Sequence, residues 1–540
     1  MTKRLSRVPA LIAMILLLLG GCTREKGPRH IFFITLDTAR ADFMNYARRN
    51  NDLTPHFAAL AAEGVVFENA YTEIPITLPS HASMFYSLPP HSLKICNNGN
   101  TNQAQEPSLA QLLKKRGFRT GAVVSLGVLR SEAGLNRGFD DYRENFRPNL
   151  WYRTAAEVNR DAMQLVRARG DGRNFFWIHY SDPHGPYFCP EYPHEFRAQF
   201  NGKEILSGKS TDQFMVKLDL DLPPGLSFLK LEAEIPDTDL SGDPIQVKNI
   251  VFMNFEVSGI GAGIPVRMHL PRHWNRVEQR RNKVTYFSKS PQSRVALENR
   301  GTVNRKVTIS FLLQLHLDPA ASKTLYREEM VYLDREFGRF VDFLKKEGIY
   351  NDSAFVVMGD HGEGLGELHD GHVGHIHYLN RVYTHVPLFL AGKGIEKMAG
   401  RKEPVSNLDI APTVLDLAEI EKAEHMQGTT LLGRQIPDRR LFLATYAPEA
   451  YHNAFSLVAF PYQLIFTPDR PSGEKMQFFN LEKDRYGEKD LFKDPAADQR
   501  LKTDLVNAIK VLARALSGDR DKPGKYSKRQ EEILKSLGYL

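Results

Sequence analysis

The stretch His30-Ile31-Phe32-Phe33-Ile34-Thr35-Leu36 is apolar at nearly every position and runs directly into Asp37. It lacks the period-two alternation of a half-exposed strand, so both of its faces must be covered, as in the interior of a parallel sheet. Phe175–Tyr180 and Ala354–Met358 have the same character. They too lead into polar chemistry, Asp182 and His184 in the first case, Asp360 and His361 in the second. In open parallel sheets the carboxyl ends of strands are where ligands and reactive groups collect. A single strand-end aspartate is usually a helix cap, but three strands ending on acids and histidines point to a shared site.

Outward from these strands, helical and extended patterns alternate. Thr54-Pro55 opens a helical stretch closed by Gly64, and Val65–Tyr71 is strand-like. Leu109–Lys115 is helical with Gly117 as its stop, and Thr120–Ser125 is again strand-like. This predicts an α/β fold over residues 28–200, a mostly parallel sheet sandwiched by helices. From 202 to 318 the texture changes. Val216, Leu218, Leu220 and Leu222 alternate with Lys217, Asp219 and Asp221, and Leu229, Leu231 and Ala233 continue the theme. Half-buried antiparallel strands in an inserted β-sandwich fit this pattern. The α/β pattern resumes over 320–440, opening on a helix from about Lys323 to Glu347 with Met330, Leu333, Phe337, Val341 and Leu344 on one stripe. Residues 441–540, with short strands at Tyr462–Phe466 and Phe478–Leu481, read as a small C-terminal α+β subdomain and tail.

The chain has 540 residues, 42% hydrophobic and 25% charged, which excludes fibrous and low-complexity classes. Lys3, Arg4 and Arg7 lie in the first 21 residues, with no acid among them, and account for three of the seven formal positive charges. What remains is a weak field without a Lys/Arg stripe, so no nucleic-acid partner is expected. Those basic residues precede a short apolar run, Leu11–Leu19, too short to span a bilayer. Residues 1–21 therefore read as a signal peptide. Leu19-Gly20-Gly21-Cys22 resembles the bacterial lipobox. That resemblance implies cleavage before Cys22, lipidation of Cys22 and attachment to a membrane. Thr23 in the next position implies outer-membrane sorting, hence an exported lipoprotein of a Gram-negative-type envelope, at the outer membrane or periplasmic face. In that oxidising compartment Cys96 and Cys189 form either one bridge or two thiols.

Ile76-Thr77-Leu78-Pro79-Ser80-His81 places a proline where the first turn of a helix accepts one. Thr77 then sits at a helix N-terminus, where unpaired N–H groups and the dipole favour an anion, although a plain threonine cap is the ordinary alternative. His369, His372, His375, His377 and His385 crowd one segment, and that density implies at least one functional role.

Leu36-Asp37-Thr38-Ala39-Arg40-Ala41-Asp42, Thr77-Leu78-Pro79-Ser80-His81, Asp182-Pro183-His184-Gly185-Pro186-Tyr187 and Gly359-Asp360-His361-Gly362-Glu363 occur in the order of the corresponding sulfatase motifs. With Tyr326–Phe343, Val386-Pro387-Leu388 and Phe479-Asn480-Leu481, the chain resembles the sulfatase family of the alkaline phosphatase superfamily over about 28–200 and 320–495. The resemblance implies that Asp37, Thr77, Asp360 and His361 hold a divalent metal ion (Ca, Mg, Mn or Zn), with Thr77 also the nucleophile. It implies catalytic roles for His184 and His375, and substrate contacts from His81, Asp182 and His372. The chemistry agrees, since a hard cation takes carboxylate oxygens and lowers the pKa of a bound hydroxyl. A second ion held by Asp182 and histidines is an alternative.

The sequence also departs from the family. Sulfatases carry, at the Thr77 position, a Cys or Ser that is oxidised to formylglycine. Threonine oxidised there would be a ketone, so formylglycine is not expected. His81 stands where they have Arg, Thr38 where many have a second Asp, and His361 where Asn is common. A bare threonine needs water to attack its covalent adduct at sulfur or phosphorus, which suits phosphoryl transfer. The expectation is a hydrolase of sulfate- or phosphate-type esters of a glycan or lipid, phosphate or phosphonate modestly favoured over sulfate. A phosphoryl-group transferase acting on envelope lipid or glycan, and an inactive glycan-binding lipoprotein, are the alternatives.

Overall fold

Seven strands build the central sheet of the computed structural model: β1 (His30–Leu36), β2 (Val65–Val66), β3 (Arg119–Val123), β4 (Asp141–Arg143), β5 (Asn174–Tyr180), β6 (Ser353–Gly359) and β7 (Leu388–Gly392). Their order is β2-β7-β6-β1-β5-β3-β4, and every pairing is parallel except the two made by β7. The structure describes residues 27–45, 52–147, 151–185, 187, 194–210, 214–234, 247–258, 266–269, 274–280, 283–288, 292–317, 319–433, 435–437, 439–446, 453–471, 475–484 and 486–517. The leader, Cys22 and Cys189 lie outside them, and so does the Cys96–Cys189 pairing.

The continuous apolar run of β1 has the expected cause. Phe32, Ile34 and Leu36 enter one core with Val158, Ala162 and Leu165 of α2 (Ala155–Arg167) and Met330, Leu333 and Phe337 of α3 (Pro319–Lys346). Ile31 and Phe33 enter the other, with Leu78, Ala82 and Phe85 of α1 (Thr77–Tyr86) and Ile410 and Val414 of α4 (Ile410–Leu417). Every residue of β1 is buried. Burying one such side chain contributes about 1.5–3 kcal/mol, so this strand anchors the fold.

The insertion is two five-stranded antiparallel sheets. The period-two residues Val216, Leu218, Leu220 and Leu222 of one sheet share an apolar core with Leu229, Leu231, Val295 and Leu297 of the other. Its first strand is His194–Phe200, ahead of the boundary at 202 read from the sequence. Position 202 is the middle of a tight hairpin instead. Phe200 pairs with Lys203, and Asn201 and Gly202 both take positive φ (49° and 81°), as the two-residue turn between twisted strands demands. At the C-terminus, Leu441–Thr445, Ala454–Ala459, Tyr462–Phe466 and Met476–Asn480 form a four-stranded sheet. The helix Gln499–Ser517 packs Leu505 and Ile509 on it. Among the described residues no helix is long and apolar enough to cross a membrane.

Candidate active site

The register of the sheet sets the site. Leu36 lies opposite Tyr180 of β5 and opposite Gly359 of β6, so the three chains leave the sheet at one level. The Asp37 N–H donates to Tyr180 O (2.8 Å) and the Asp360 N–H to Leu36 O (3.2 Å), which carries the alignment one residue past the strands. The start of α1 is tied to the same point, because Ser80 Oγ donates to Asp360 O at 2.8 Å. All ten residues of α1 are buried, and Thr77 Oγ1 lies 3.2 Å from His361 Nε2.

Asp37, Asp360 and His361 each offer a ligand atom, and these atoms lie within 4.8 Å of one another. His361 Nδ1 faces Gly362 O at 3.0 Å; a carbonyl only accepts, so Nδ1 carries the hydrogen and Nε2 presents its lone pair. Burial, then the neighbouring His375, pushes the His361 pKa down to about 3, so the ring stays neutral. Asp360 Oδ1 accepts the N–H groups of Thr38 (3.0 Å) and His361 (2.7 Å). Asp360 Oδ2 and Asp37 Oδ1 are buried with no hydrogen-bond partner among the described residues. Unmet buried carboxylate oxygens are costly, and two beside a neutral imidazole lone pair suit a divalent cation. The protonation pattern agrees. Burial and the charge of Asp37 drive Asp360 well above the usual carboxylate range. Burial also works to raise Asp37, but the His179 hydrogen bond and the nearby His184 and His361 hold it below that range.

His375 and His184 join this group. The His375 ring centre is 4.4 Å from that of His361 and 5.1 Å from that of His184, and both side chains are buried. His375 Nδ1 is 3.3 Å from Glu363 Oε1. Burial, above all, pushes Glu363 up to about 8. The backbone beside His375 is strained, since Ile376, a β-branched residue, takes φ +84°. Its side chain packs with Ile74 and Ile76, and its carbonyl accepts the Thr445 hydroxyl. The Thr77 hydroxyl, a candidate cation site and buried imidazoles therefore converge at the carboxyl end of the sheet.

Residues 29–420 match the family model described as Sulfatase. The chain belongs to the sulfatase family. It is 24% identical over 488 residues to a Δ4,5-hexuronate-2-O-sulfatase of Bacteroides thetaiotaomicron, covering 86% of this chain and 85% of that one. A structure solved in complex with its substrate D-glucosamine-2-N,6-O-disulfate superposes with TM-score 0.58 at 14% identity, covering 93% of this chain and 100% of that one. The phosphonate monoester hydrolase of Agrobacterium radiobacter does so with TM-score 0.56 at 14% identity, covering 93% and 98%. As a sulfatase-family protein the chain is an ester hydrolase, and Asp37, Asp360 and His361 form a candidate site for the divalent ion on which this family typically depends.

Three residues expected at the substrate of this sulfatase-family hydrolase also have partners in the scaffold, and Asp182 keeps its Oδ2 buried without a hydrogen-bond partner among the described residues. His81 is itself in α1, where its Nδ1–H donates to Thr77 O (2.8 Å) and its Nε2 accepts from Thr35 Oγ1 of β1 (3.1 Å). Trp177 Nε1 donates in turn to Thr35 Oγ1 (2.9 Å), so both ring nitrogens of His81 are engaged by the protein. Asp182 Oδ1 accepts the Ala155 N–H at 2.8 Å and so holds the start of α2, with burial pushing its carboxyl up to about 7. His372 sets Nδ1 against the Tyr383 hydroxyl at 3.3 Å. Conversely, His179 was not among the sequence candidates, yet it is fully buried between Asp37 and Ser125. The Ser125 N–H donates to its Nδ1 (3.3 Å), so Nε2 carries the hydrogen and donates to Asp37 Oδ2 (3.2 Å). Its place in the apolar run of β5 concealed it. The register of β5 against β1, Thr35 opposite His179, would have revealed it. His179→Ala is expected to weaken divalent-ion affinity about 10–100-fold, measured by calorimetry, because the carboxylate loses its orienting donor.

Proposed function

We propose that this protein hydrolyses a sulfate- or phosphate-type ester of an exported glycan or lipid through a covalent intermediate on Thr77, the residue at the formylglycine position of its relatives. The observation carrying this reading is Thr77 Oγ1 at the N-terminus of α1, 3.2 Å from His361 Nε2 and grouped with two unpaired carboxylate oxygens. Thr77 Oγ1 releases its proton to solvent and forms a bond to sulfur or phosphorus as the bond to the ester oxygen breaks in line. His184 gives that oxygen its proton, and His375, kept neutral by burial, contacts the transferred group. Water then attacks the adduct, and its oxygen stays on the released sulfate- or phosphate-type product. One of its protons returns to Thr77 Oγ1 and the other restores His184. Asp37, Thr77, Asp360 and His361 would hold a divalent ion, which would supply Lewis-acid polarisation and a lower hydroxyl pKa. The positive end of α1 favours the negative charge of the transferred group.

A threonine adduct cannot expel sulfate through an aldehyde hydrate, so the nucleophile favours phosphorus, as phosphodiester or phosphonate ester. A sulfate ester is the second reading, supported by the Δ4,5-hexuronate-2-O-sulfatase aligned along most of both chains. The fold alone does not choose, since glycan-sulfate and phosphonate-ester structures superpose almost equally. Metal-loaded protein should be offered aryl sulfate, phosphate monoester, phosphodiester and phosphonate monoester. We expect a phosphorus ester to exceed sulfate by at least about tenfold in kcat/KM, which corresponds to about 1.4 kcal/mol. Turnover of sulfate alone overturns the preference, and product transferred to an added alcohol rather than water would make the enzyme a transferase.

The lipobox-like Leu19–Cys22 supports an exported, membrane-anchored form. A labelled fatty acid is expected on the wild type and in its membrane fraction, and on neither with Cys22→Ala. A variant that stays in the membrane fraction as the wild type does removes this assignment.

A further inference from the structure

The edge of the central sheet opposite the active site is rich in arginine and lysine. Three neighbouring strands begin there on arginine. The Asn174 N–H donates to Arg29 O and the Arg119 N–H to Arg173 O, both at 2.9 Å. This sets Arg29, Arg173 and Arg119 side by side at the entry of β1, β5 and β3. The helices that return to this edge end in the same way. Helix Leu109–Lys115 closes on Lys114, Lys115 and Arg116, α2 on Arg167, and α3 on Lys345 and Lys346. A cation at a helix C-terminus answers the helix dipole, but the start of a strand has no such need. Carboxylates offset part of this charge. Asp140 takes Lys114 (2.6 Å), Glu347 takes Arg167 (3.1 Å), Asp352 takes Lys393 (2.6 Å), and Glu419 faces Arg173. Lys115, Arg116 and Arg119 are exposed and make no ion pair among the described residues.

The chain enters the fold at this same edge. The Arg29 N–H, one residue ahead of β1, donates to Asp352 O (2.9 Å), one residue ahead of β6. Cys22 lies five positions before Gly27, an interval over which an extended chain reaches at most about 18 Å. We propose that the basic edge rests on anionic phospholipid headgroups of the bilayer that holds the Cys22 lipid. The active site then faces away from the membrane and takes its ester from the aqueous side, as a glycan rather than a lipid. This rests on the lipidation of Cys22 and, for the substrate, on the hydrolase reading given above. The tether alone permits many tilts. Attraction between the arginine row and lipid phosphate, acting over about 10 Å at ordinary salt, selects the one with that row down. At about 3.3 Å per residue, β1 then lifts Asp37 about 25 Å above the row. An ester on a headgroup of the same bilayer is out of reach of Thr77 at that height.

Lysine footprinting tests the orientation. The lipidated full chain is reconstituted in vesicles of phosphatidylcholine, alone or with an equal part of phosphatidylglycerol, and acylation by an uncharged amine reagent is read by mass spectrometry. Lys115 and Lys346 report on the basic edge. Lys323, exposed beside Glu367 near the start of α3, reports on the opposite end. Phosphatidylglycerol is expected to slow acylation of Lys115 and Lys346 at least about fivefold and to leave Lys323 unchanged. Arg116→Glu combined with Arg119→Glu should remove that protection, with melting temperature, membrane fraction and turnover of a water-soluble ester as in wild type. Salt at about 0.5 M should remove it from the wild type as well, a check that needs no variant. An ester on a soluble glycan should turn over at least about tenfold faster than one on a lipid of the same vesicle. Protection that is absent, or equal in neutral vesicles, overturns the proposal, and so does protection that survives charge reversal, which would assign the edge to a contact between copies of the chain. Faster turnover on the vesicle lipid overturns the substrate class. A chain whose mass shows no fatty acid on Cys22 sinks the anchor reading itself, and one that hydrolyses no ester sinks the hydrolase reading, two separate outcomes.

Discussion

Thr77→Ala is expected to lower kcat/KM on the responsive ester by at least about 10³-fold, equivalent to about 4 kcal/mol of transition-state stabilisation. Losing a covalent nucleophile leaves only the catalysis that positioning and electrostatics supply, so residual activity rather than none is the reference. Thr77 is fully buried, and its hydroxyl has one described side-chain contact, to His361 Nε2. The alanine variant should therefore fold, and Asp37, Asp360 and His361 remain to hold the cation. Thr77→Ser keeps the hydroxyl at the start of α1 and should stay within about tenfold of wild type, or about 1.4 kcal/mol. Rates that survive in Thr77→Ala, with metal content intact, would assign the attack to water and remove the covalent intermediate.

Removing the divalent ion is expected to abolish turnover and to lower the melting temperature more at pH 8 than at pH 5.5. Burial raises five acids among the described residues: Asp182 to about 7, Glu73 and Glu363 to about 8, Asp334 above its usual value and Asp360 well above its usual range. An acid raised on folding holds its proton after the unfolded chain has released its own. Between about pH 4 and 8 these acids bind more protons in the folded chain, so their contribution to stability falls as pH rises. Below about pH 6.5 the buried histidines, lowered to about 4 at His30 and about 3 at His81 and His361, act in the opposite sense. A cation beside Asp37 and Asp360 offsets the loss from the acids by favouring the ionised carboxylates, and its binding releases protons, so its contribution grows with pH. At a hundredfold excess over Kd the ion contributes about 2.7 kcal/mol, of order 2 °C in a chain of this size. Calorimetric melts with and without chelator at the two pH values measure this. An equal or smaller effect at pH 8 would show that the cation does not bind at the Asp37–Asp360 pair.

Chain position concealed what the sheet register made plain. His179 reads as one more residue of an apolar strand, yet it donates to Asp37 across the β1–β5 pairing. Asp182 and His81 sit inside family-like motifs, yet each is held by the scaffold, one at the first N–H of α2 and the other between Thr77 O and Thr35 Oγ1. A motif fixes where a residue leaves its strand or helix. Which neighbour its polar atoms meet depends on elements far away in the chain, such as α2 for Asp182 and β1 for His81.

By itself the sequence determined the architecture and the reactive edge. Apolar runs without alternation require strands covered on both faces, and their abrupt ends on Asp37 and Asp360-His361 put acids and a histidine at the carboxyl side of a parallel sheet. Period-two residues determined the inserted sandwich, because half-buried strands expose every second side chain. Tertiary structure alone decided the 3.2 Å approach of Thr77 Oγ1 to His361 Nε2, the pairing of His179 with Asp37, and which carboxylate oxygens were left for a cation. Hydrogen-bond partners are chosen within about 3 Å in space, and residues that meet at that distance here, such as Thr38 and Asp360, are 322 positions apart in the chain.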